Sequence, residues 1–321
     1  MRILVTGGAG YVGSTLVPHL LSDGHRVRVL DTLAHGGQSL LGAWAHPGFE
    51  FVQGDVRNAE VVCEALANID AVVHLAAIVG DPACAREPEL ARAVNLDASL
   101  ALLDASRRAG VGRFIFASTC SNYGKMRDDT DYVDERSTLA PVSLYAECKV
   151  AVERAMLDEA RDGMVVTPLR FATVYGVSPR MRFDLTVNEF TAAMVRRDPL
   201  VVFGERFWRP YVHVRDVARA VAAVLAAPAE VVNGQVFNVG STEENYQKQQ
   251  LVELIRPLAP AATVEFVHKA EDPRDYRVSF AKIERTLRFH TTRTVPDGIQ
   301  EIAQLVRAGI IEDVKDVRYR N

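Results

Sequence analysis

Gly7-Gly8-Ala9-Gly10-Tyr11-Val12-Gly13 follows directly on the run Arg2-Ile3-Leu4-Val5 and leads into Val12, Leu16, Leu20 and Leu21 at helical spacing. A strand, a tight glycine turn and a helix in that order confine the chain to a narrow set of folds. Glycines 7, 10 and 13 let the backbone turn sharply and approach a pyrophosphate closely, while the helix N-terminus adds N–H donors and a positive dipole. The sequence thus predicts an α/β sheet with a phosphate-binding turn at the end of its first strand.

The rest of the chain repeats this alternation. Val27-Arg28-Val29-Leu30, Phe49–Val52, Ala71–Leu75, Phe114–Phe116 and Val165–Leu169 read as strands, with helical patterns such as Asn95–Arg108 between most of them. Most are apolar on both faces, which indicates a parallel sheet covered on both sides. After about residue 177 the pattern loosens into the arginine-rich loop Ser178–Arg182, where a second domain is expected, and Gln235–Val239 reads as one more buried strand. The expected division is a dinucleotide domain over 1–176 and 208–239, and a smaller α/β substrate domain over 177–207 and 240–321.

The 321 residues carry a net charge of −4, which offers no field for nucleic acid or an anionic membrane, so a phosphate must be held locally. Four cysteines, Cys63, Cys84, Cys120 and Cys148, lack zinc-ligand spacing, and a reducing cytoplasm suits them. No signal peptide or membrane span is expected.

Asp31 ends the second strand, where a carboxylate accepts both ribose hydroxyls of an adenosine and repels a 2′-phosphate. Asp55, in Gly54-Asp55-Val56-Arg57, suits either contact with the adenine or the capping of a helix. Tyr145 and Lys149 stand four apart in Tyr145-Ala146-Glu147-Cys148-Lys149, so a helix sets them on one face, where an ammonium lowers a phenol's pKa toward working pH. Ser118 and Thr119 fall at the end of the fifth strand, where a hydroxyl shares a hydrogen bond with a reacting oxygen.

Thr6–Gly13, His74-Leu75-Ala76-Ala77, Ser118-Thr119, Tyr145–Lys149 and Arg170–Gly176 together resemble the extended short-chain dehydrogenase/reductases, closest to the nucleotide-sugar epimerases and dehydratases. The resemblance runs through nearly the whole chain. It implies a Rossmann-type doubly wound parallel sheet, NAD as cofactor, a nucleotide sugar as substrate and a homodimer. By it Thr119, Tyr145 and Lys149 are catalytic, and Gly7, Gly10, Tyr11, Val12, Gly13, Asp31, Asp55, Val56, Leu75, Ala76, Ala77, Asn95, Tyr145 and Lys149 hold the cofactor. Asn95 matches the family's asparagine near the active site or, equally, is a helix N-cap. Thr119, Cys120, Ser121 and Thr173 are the expected substrate contacts. Arg209, in Arg209-Pro210-Tyr211-Val212-His213, is the expected diphosphate ligand, with His213 structural. Arg274 is the second, with Lys269 and Arg277 as alternatives.

Three positions depart from the family pattern. Thr173 replaces an asparagine of Arg-x-x-Asn-x-Tyr-Gly, and Cys120-Ser121 stand where 4,6-dehydratases carry an Asp-Glu pair. The expected reaction is an epimerisation through a transient 4-keto sugar. A one-way 4-ketoreductase or 4-dehydrogenase is the alternative on the same residues, and an NAD-responsive binding protein the alternative of another class. Relatives are expected to pair through helices near 96–108 and 145–160, and Val150, Val152, Ala155 and Met156 look more apolar than one packed face requires.

Overall fold

The computed structural model describes residues 1–125, 132–160, 163–269 and 274–321. Its strands are β1 (Arg2–Thr6), β2 (Arg26–Asp31), β3 (Phe49–Gln53), β4 (Ala71–His74), β5 (Arg113–Thr119), β6 (Val165–Phe171), β7 (Thr173–Tyr175), β8 (Leu200–Phe203), β9 (Trp208–His213), β10 (Phe237–Val239), β11 (Asn245–Gln247) and β12 (Val264–Val267). Seven of them form a parallel sheet in the order β10-β6-β5-β4-β1-β2-β3.

The alternation of side chains along each strand builds two cores, one on each face. Ile3, Val5, Val73, Ile115 and Leu169 join the cluster packed under the helices Gly13–Ser22 and Val214–Ala226. Leu4, Val72, Phe114, Phe116 and Val166 join the opposite one, under Ala98–Arg108 and Leu144–Glu159. This is the doubly wound sheet that the two-sided apolar strands predict.

β7, β9 and β11 make a separate three-stranded sheet, and β12 pairs with β8. A third core gathers around Phe190, Tyr211, Leu251 and Ile299. The changes of sheet fall after Phe171 and after His213, so β7 and β9 leave the large sheet, although both lie inside the stretches expected for the dinucleotide domain. In the other direction, Tyr276, Val278, Phe280 and Ile283 return to the first core from within 240–321. An apolar strand does not reveal its pairing partner; here Thr173 pairs with Tyr211, not with the neighbours of Phe171.

Val152 and Met156 are fully buried in the core beneath their own helix, and Val150 is buried as well. Ala155 is half-buried, so all but one of the four apolar positions read in this helix are absorbed within the chain and give no argument for a dimer.

Behind the sheet's C-terminal edge lies a buried polar network centred on Glu153. Its carboxylate accepts from Arg170 Nε at 3.1 Å and Nη2 at 2.7 Å, from Asn122 Nδ2 at 2.9 Å and from Ser118 Oγ. Arg170 also donates to Tyr123 Oη at 2.9 Å, which donates to Asn238 Oδ1 at 2.7 Å. The ion pair is nearly sealed from solvent, with side chains 5% and 2% exposed. Removing one member of such a pair leaves the other as an uncompensated buried charge. Glu153→Ala should therefore lose about 3–5 kcal/mol in urea unfolding, and a loss within the range of ordinary surface substitutions would show that the network does not hold β5, β6 and the helix together.

Candidate active site

In the register of the large sheet Thr6 aligns with His74, and Thr119 with Phe171, so these strand ends form one rim. Along it opens a cavity of about 970 Å³. Gly7, Gly10, Tyr11, Val12 and Gly13 of the glycine turn line it, with Asp31, Asp55, Val56, Leu75, Ala76 and Ala77 from the following loops. Thr119, Ser121, Tyr145, Lys149, Thr173, Arg209 and Arg274 line the same cavity. At Gly7, with φ +73°, a Cβ would meet Ala76 N at 2.7 Å, and at Gly13 a Cβ would meet Gly7 O at 2.3 Å. The turn therefore closes only with glycine at both positions, which leaves the start of helix Gly13–Ser22 bare toward the cavity.

Asp31 Oδ2 accepts from Ala9 N at 2.9 Å and Oδ1 from Leu33 N at 2.8 Å. The two amides fix the carboxylate against the glycine turn and leave each oxygen lone-pair capacity for a ribose hydroxyl. Asp55 is paired with Arg57 at 2.7 Å, which holds its carboxyl below the usual range. The helix after it is capped by Asn58, so of its two expected tasks the cavity position remains. A glycine cradle, a bare helix N-terminus and a fixed ribose carboxylate fit a dinucleotide.

Ser143 caps helix Leu144–Glu159, its hydroxyl accepting from Ala146 N at 3.4 Å, and the first turns of this helix present Tyr145 and Lys149. Lys149 Nζ lies 5.7 Å from the centroid of the Tyr145 ring and 4.5 Å from that of Phe116. The expected lowering of the phenol by this lysine is not found. Burial pushes the Tyr145 phenol well above its ordinary value, and the cation that counteracts this is Arg182. Burial also pulls Lys149 down to about 8. Thr119 Oγ1 and Ser121 Oγ are 2.6 Å apart, and the Ser121 amide donates to Thr119 Oγ1 at 3.1 Å, so two hydroxyls are set side by side at the end of β5.

Two expected contacts fall outside the cavity. Cys120 is 1% exposed and turned into the core, its thiol donating to Arg170 O at 3.3 Å, because the turn Cys120–Tyr123 gives only Ser121 to the cavity and buries its other three residues. Asn95 is fully buried in the wide turn Ala93–Asp97, neither a helix cap nor a cavity residue. Its amide accepts from Ile78 N at 2.8 Å and donates to Ile78 O at 2.9 Å, fixing a stretch of backbone that does line the cavity.

Arg209 is 9% exposed and donates to the carbonyls of Trp208, at 2.7 Å, and Arg274. Arg274 bonds Asp81 Oδ2 at 2.6 Å, joining two cavity walls. The alternatives are placed elsewhere: Lys269 lies over the Phe203 ring at 5.3 Å and Arg277 over that of Tyr132 at 4.7 Å. Glu271, Asp272 and Pro273 of this segment lie outside the described residues. His213 is fully buried, bonding Glu301 at 3.0 Å and capping helix Val214–Ala226, a structural role. Sequence reading misses Asp81, Arg180 and Arg182 as cavity residues. For the arginines a signal exists in the Ser178–Arg182 loop, which by spacing alone marks only a domain boundary.

A family profile, that of the NAD dependent epimerase/dehydratase family, matches residues 3–240. A dTDP-glucose 4,6-dehydratase of Actinoplanes sp. is 33% identical over 325 residues, covering 96% of this chain and 98% of that protein. A UDP-glucose 4-epimerase of Corynebacterium glutamicum is 30% identical, covering 89% and 90%. Among solved structures, the UDP-glucose 4-epimerase of Thermus thermophilus in complex with NAD superposes with a TM-score of 0.84 at 28% identity, over 97% of this chain and all of that one.

The Asp31 carboxylate is fixed where a 2′-phosphate would bring like charge against it. Titration of the protein with both cofactors should show NAD bound more tightly than NADP, and Asp31→Ala should narrow the gap; equal or tighter binding of NADP by the unaltered protein would remove Asp31 from cofactor selection.

Proposed function

The chain belongs to the NAD dependent epimerase/dehydratase family, and from that premise we propose that it is an NAD-dependent nucleotide-sugar epimerase working through a transient 4-keto sugar. The observation that carries this reading is one cavity in which the glycine turn and Asp31 share a wall with Thr119, Tyr145 and Lys149 and with the guanidinium groups of Arg209 and Arg274.

NAD, when bound, supplies the hydride acceptor and donor. Gly7, Gly10, Tyr11, Val12, Gly13 and Asp31, with Asp55, Val56, Leu75, Ala76 and Ala77, are the residues that hold it. Tyr145 exchanges the proton of the sugar 4-oxygen, accepting it as the carbonyl forms and returning it as the carbonyl is reduced. Burial alone keeps this phenol protonated, so its proton-accepting form depends on the positive charge of Arg182. Of the paired Thr119 and Ser121 hydroxyls, one donates to the other, and the second donates to the sugar oxygen as charge develops on it. Arg209 and Arg274 hold the substrate diphosphate, and Thr173 lies beside it on the wall, with a hydroxyl in place of the family's amide. Because Tyr145 both takes and returns the proton of the 4-oxygen, its own protonation state is unchanged over a full cycle.

Elimination of water across C5 and C6 finds no acid–base pair at positions 120 and 121. The Cys120 thiol is buried against Arg170 O and burial pushes its pKa up, while Ser121 offers only a hydroxyl.

A homodimer formed through helices Ala98–Arg108 and Leu144–Glu159 belongs to the same proposal. Its support is the resemblance and the packing of these two helices side by side on one face of the sheet. The unpaired thiols, three of them buried, agree with a reducing cytoplasmic setting.

Tyr145→Phe should retain NAD binding and lose at least ~10²-fold in turnover; a near-normal rate would take Tyr145 out of the mechanism. The reading as a whole is tested by incubating the NAD-loaded protein with UDP- and dTDP-hexoses. Product inverted at C4 without accumulation of NADH supports it, one NADH formed or consumed per sugar establishes the dehydrogenase or reductase instead, and a 4-keto-6-deoxy product refutes the argument from Cys120 and Ser121. Light scattering at micromolar concentration should give a dimer's mass, and a monomer's mass rules the dimer out.

A further inference from the structure

Arg180 is a buried cation with no ion-pair partner among the described residues. It is 6% exposed, yet its guanidinium forms no ion pair with any described residue. Nη2 donates to Arg320 O at 2.9 Å, and Nε has no partner among the described residues. Asp184, the nearby carboxylate, is taken up by Arg182, which engages it in a fork at 3.0 and 2.6 Å. Burial, and then the Arg182 charge, pull the Arg180 guanidinium down to about 10. Leaving a charge desolvated and unpaired costs several kcal/mol by itself, so its retention here calls for an anion.

The surroundings say which anion. The loop that carries Arg180 is stapled to the glycine turn: Ser178 Oγ donates to Tyr11 O at 2.6 Å and lies 3.0 Å from Ser14 Oγ. Tyr11 Oη donates to Gly176 O at 2.6 Å, and the Arg180 amide donates to Ser14 Oγ at 3.3 Å. Arg180 thus stands beside the N-terminus of the ten-residue helix Gly13–Ser22, on the wall of the same cavity as Gly10 and Gly13. It also faces His35, whose imidazole is pushed down by burial and by the charges of Arg180 and Arg182. Arg209 and Arg274 adjoin Tyr276 instead.

We infer that Arg180 is a ligand of the dinucleotide's diphosphate, supplied by the loop after β7 to complement the amides of the glycine turn. The inference rests on the reading of this cavity as an NAD site. It turns the 178–184 loop from a connector into a part of the cofactor cradle, and makes the cofactor's charge the missing counter-ion of a costly guanidinium.

The test is calorimetric titration of nucleotide-free protein with NAD and with adenosine, which lacks the phosphates, for the unaltered chain, Arg180→Met and Arg180→Lys. UDP is titrated into the NAD-loaded forms, and melting is followed with and without NAD. Arg180→Met should weaken NAD by about tenfold or more, leave adenosine and UDP within about twofold, and melt no lower than the unaltered chain when NAD is absent. Arg180→Lys should recover part of the NAD affinity. Unchanged NAD affinity, equal losses for NAD and adenosine, a lowered melting temperature without NAD, or weakening of UDP alone would each overturn the assignment. An unaltered chain that binds no NAD would overturn the cofactor reading, and this inference with it; one that binds NAD as tightly as its Met variant overturns this inference alone.

Discussion

The Glu153 carboxylate joins the parts of the molecule on which its chemistry depends. It lies on helix Leu144–Glu159 four residues beyond Lys149 and eight beyond Tyr145, and it receives Ser118 from the end of β5 and Arg170 from β6. Through Arg170 and Tyr123 the same network reaches Asn238 on β10. Two strand ends and one helix face are therefore set relative to each other by hydrogen bonds in a space that excludes water, where such bonds are strong and a missing partner is costly. Thr119 follows Ser118 directly, so the hydroxyl at the cavity rim inherits its position from a buried ion pair.

Burial shapes the protonation states along this rim as much as charge does. Desolvation favours the neutral form of each group, so it raises the Tyr145 phenol and lowers the Lys149 ammonium. Arg182 acts on Tyr145 from the opposite wall while being held by Asp184. Besides burial, the Tyr145 phenol is thus acted on by charges from two other segments, the loop after β7 and the Asp81 loop.

The family's chemistry is hosted with local substitutions whose effects differ. At position 173 the change is of functional group only, since Thr173 keeps its place on the cavity wall. At position 120 the change is accompanied by withdrawal, since Cys120 packs into the core where an acid would have to face substrate. Ser121 then pairs with Thr119 and adds a hydroxyl where a dehydratase has a carboxylate. On the proposed reading, residues 120 and 121 favour exchange of proton and hydride over elimination.

What the sequence determined by itself is what short-range physics dictates. Apolar residues on both faces of successive strands require a covered parallel sheet, three glycines at the first strand's end require a phosphate-sized turn, and a Tyr and a Lys four apart on a helix must share a face. Tertiary structure decided the contacts between segments distant along the chain. The Asp81–Arg274 pair spans 193 residues and the Tyr11–Gly176 bond 165. Neither those pairs, nor the core-facing turn of Cys120, nor the hold of Asn95 on Ile78, has a signature in local spacing. Arg180 is the clearest instance: in sequence it is one arginine of a polar loop, and it becomes an unpaired buried charge only because Ser178 ties that loop against the glycine turn while Asp184 is spent on its neighbour. Periodicity records which side of an element is apolar; the partner that a polar group finds, or lacks, is settled only when the elements pack.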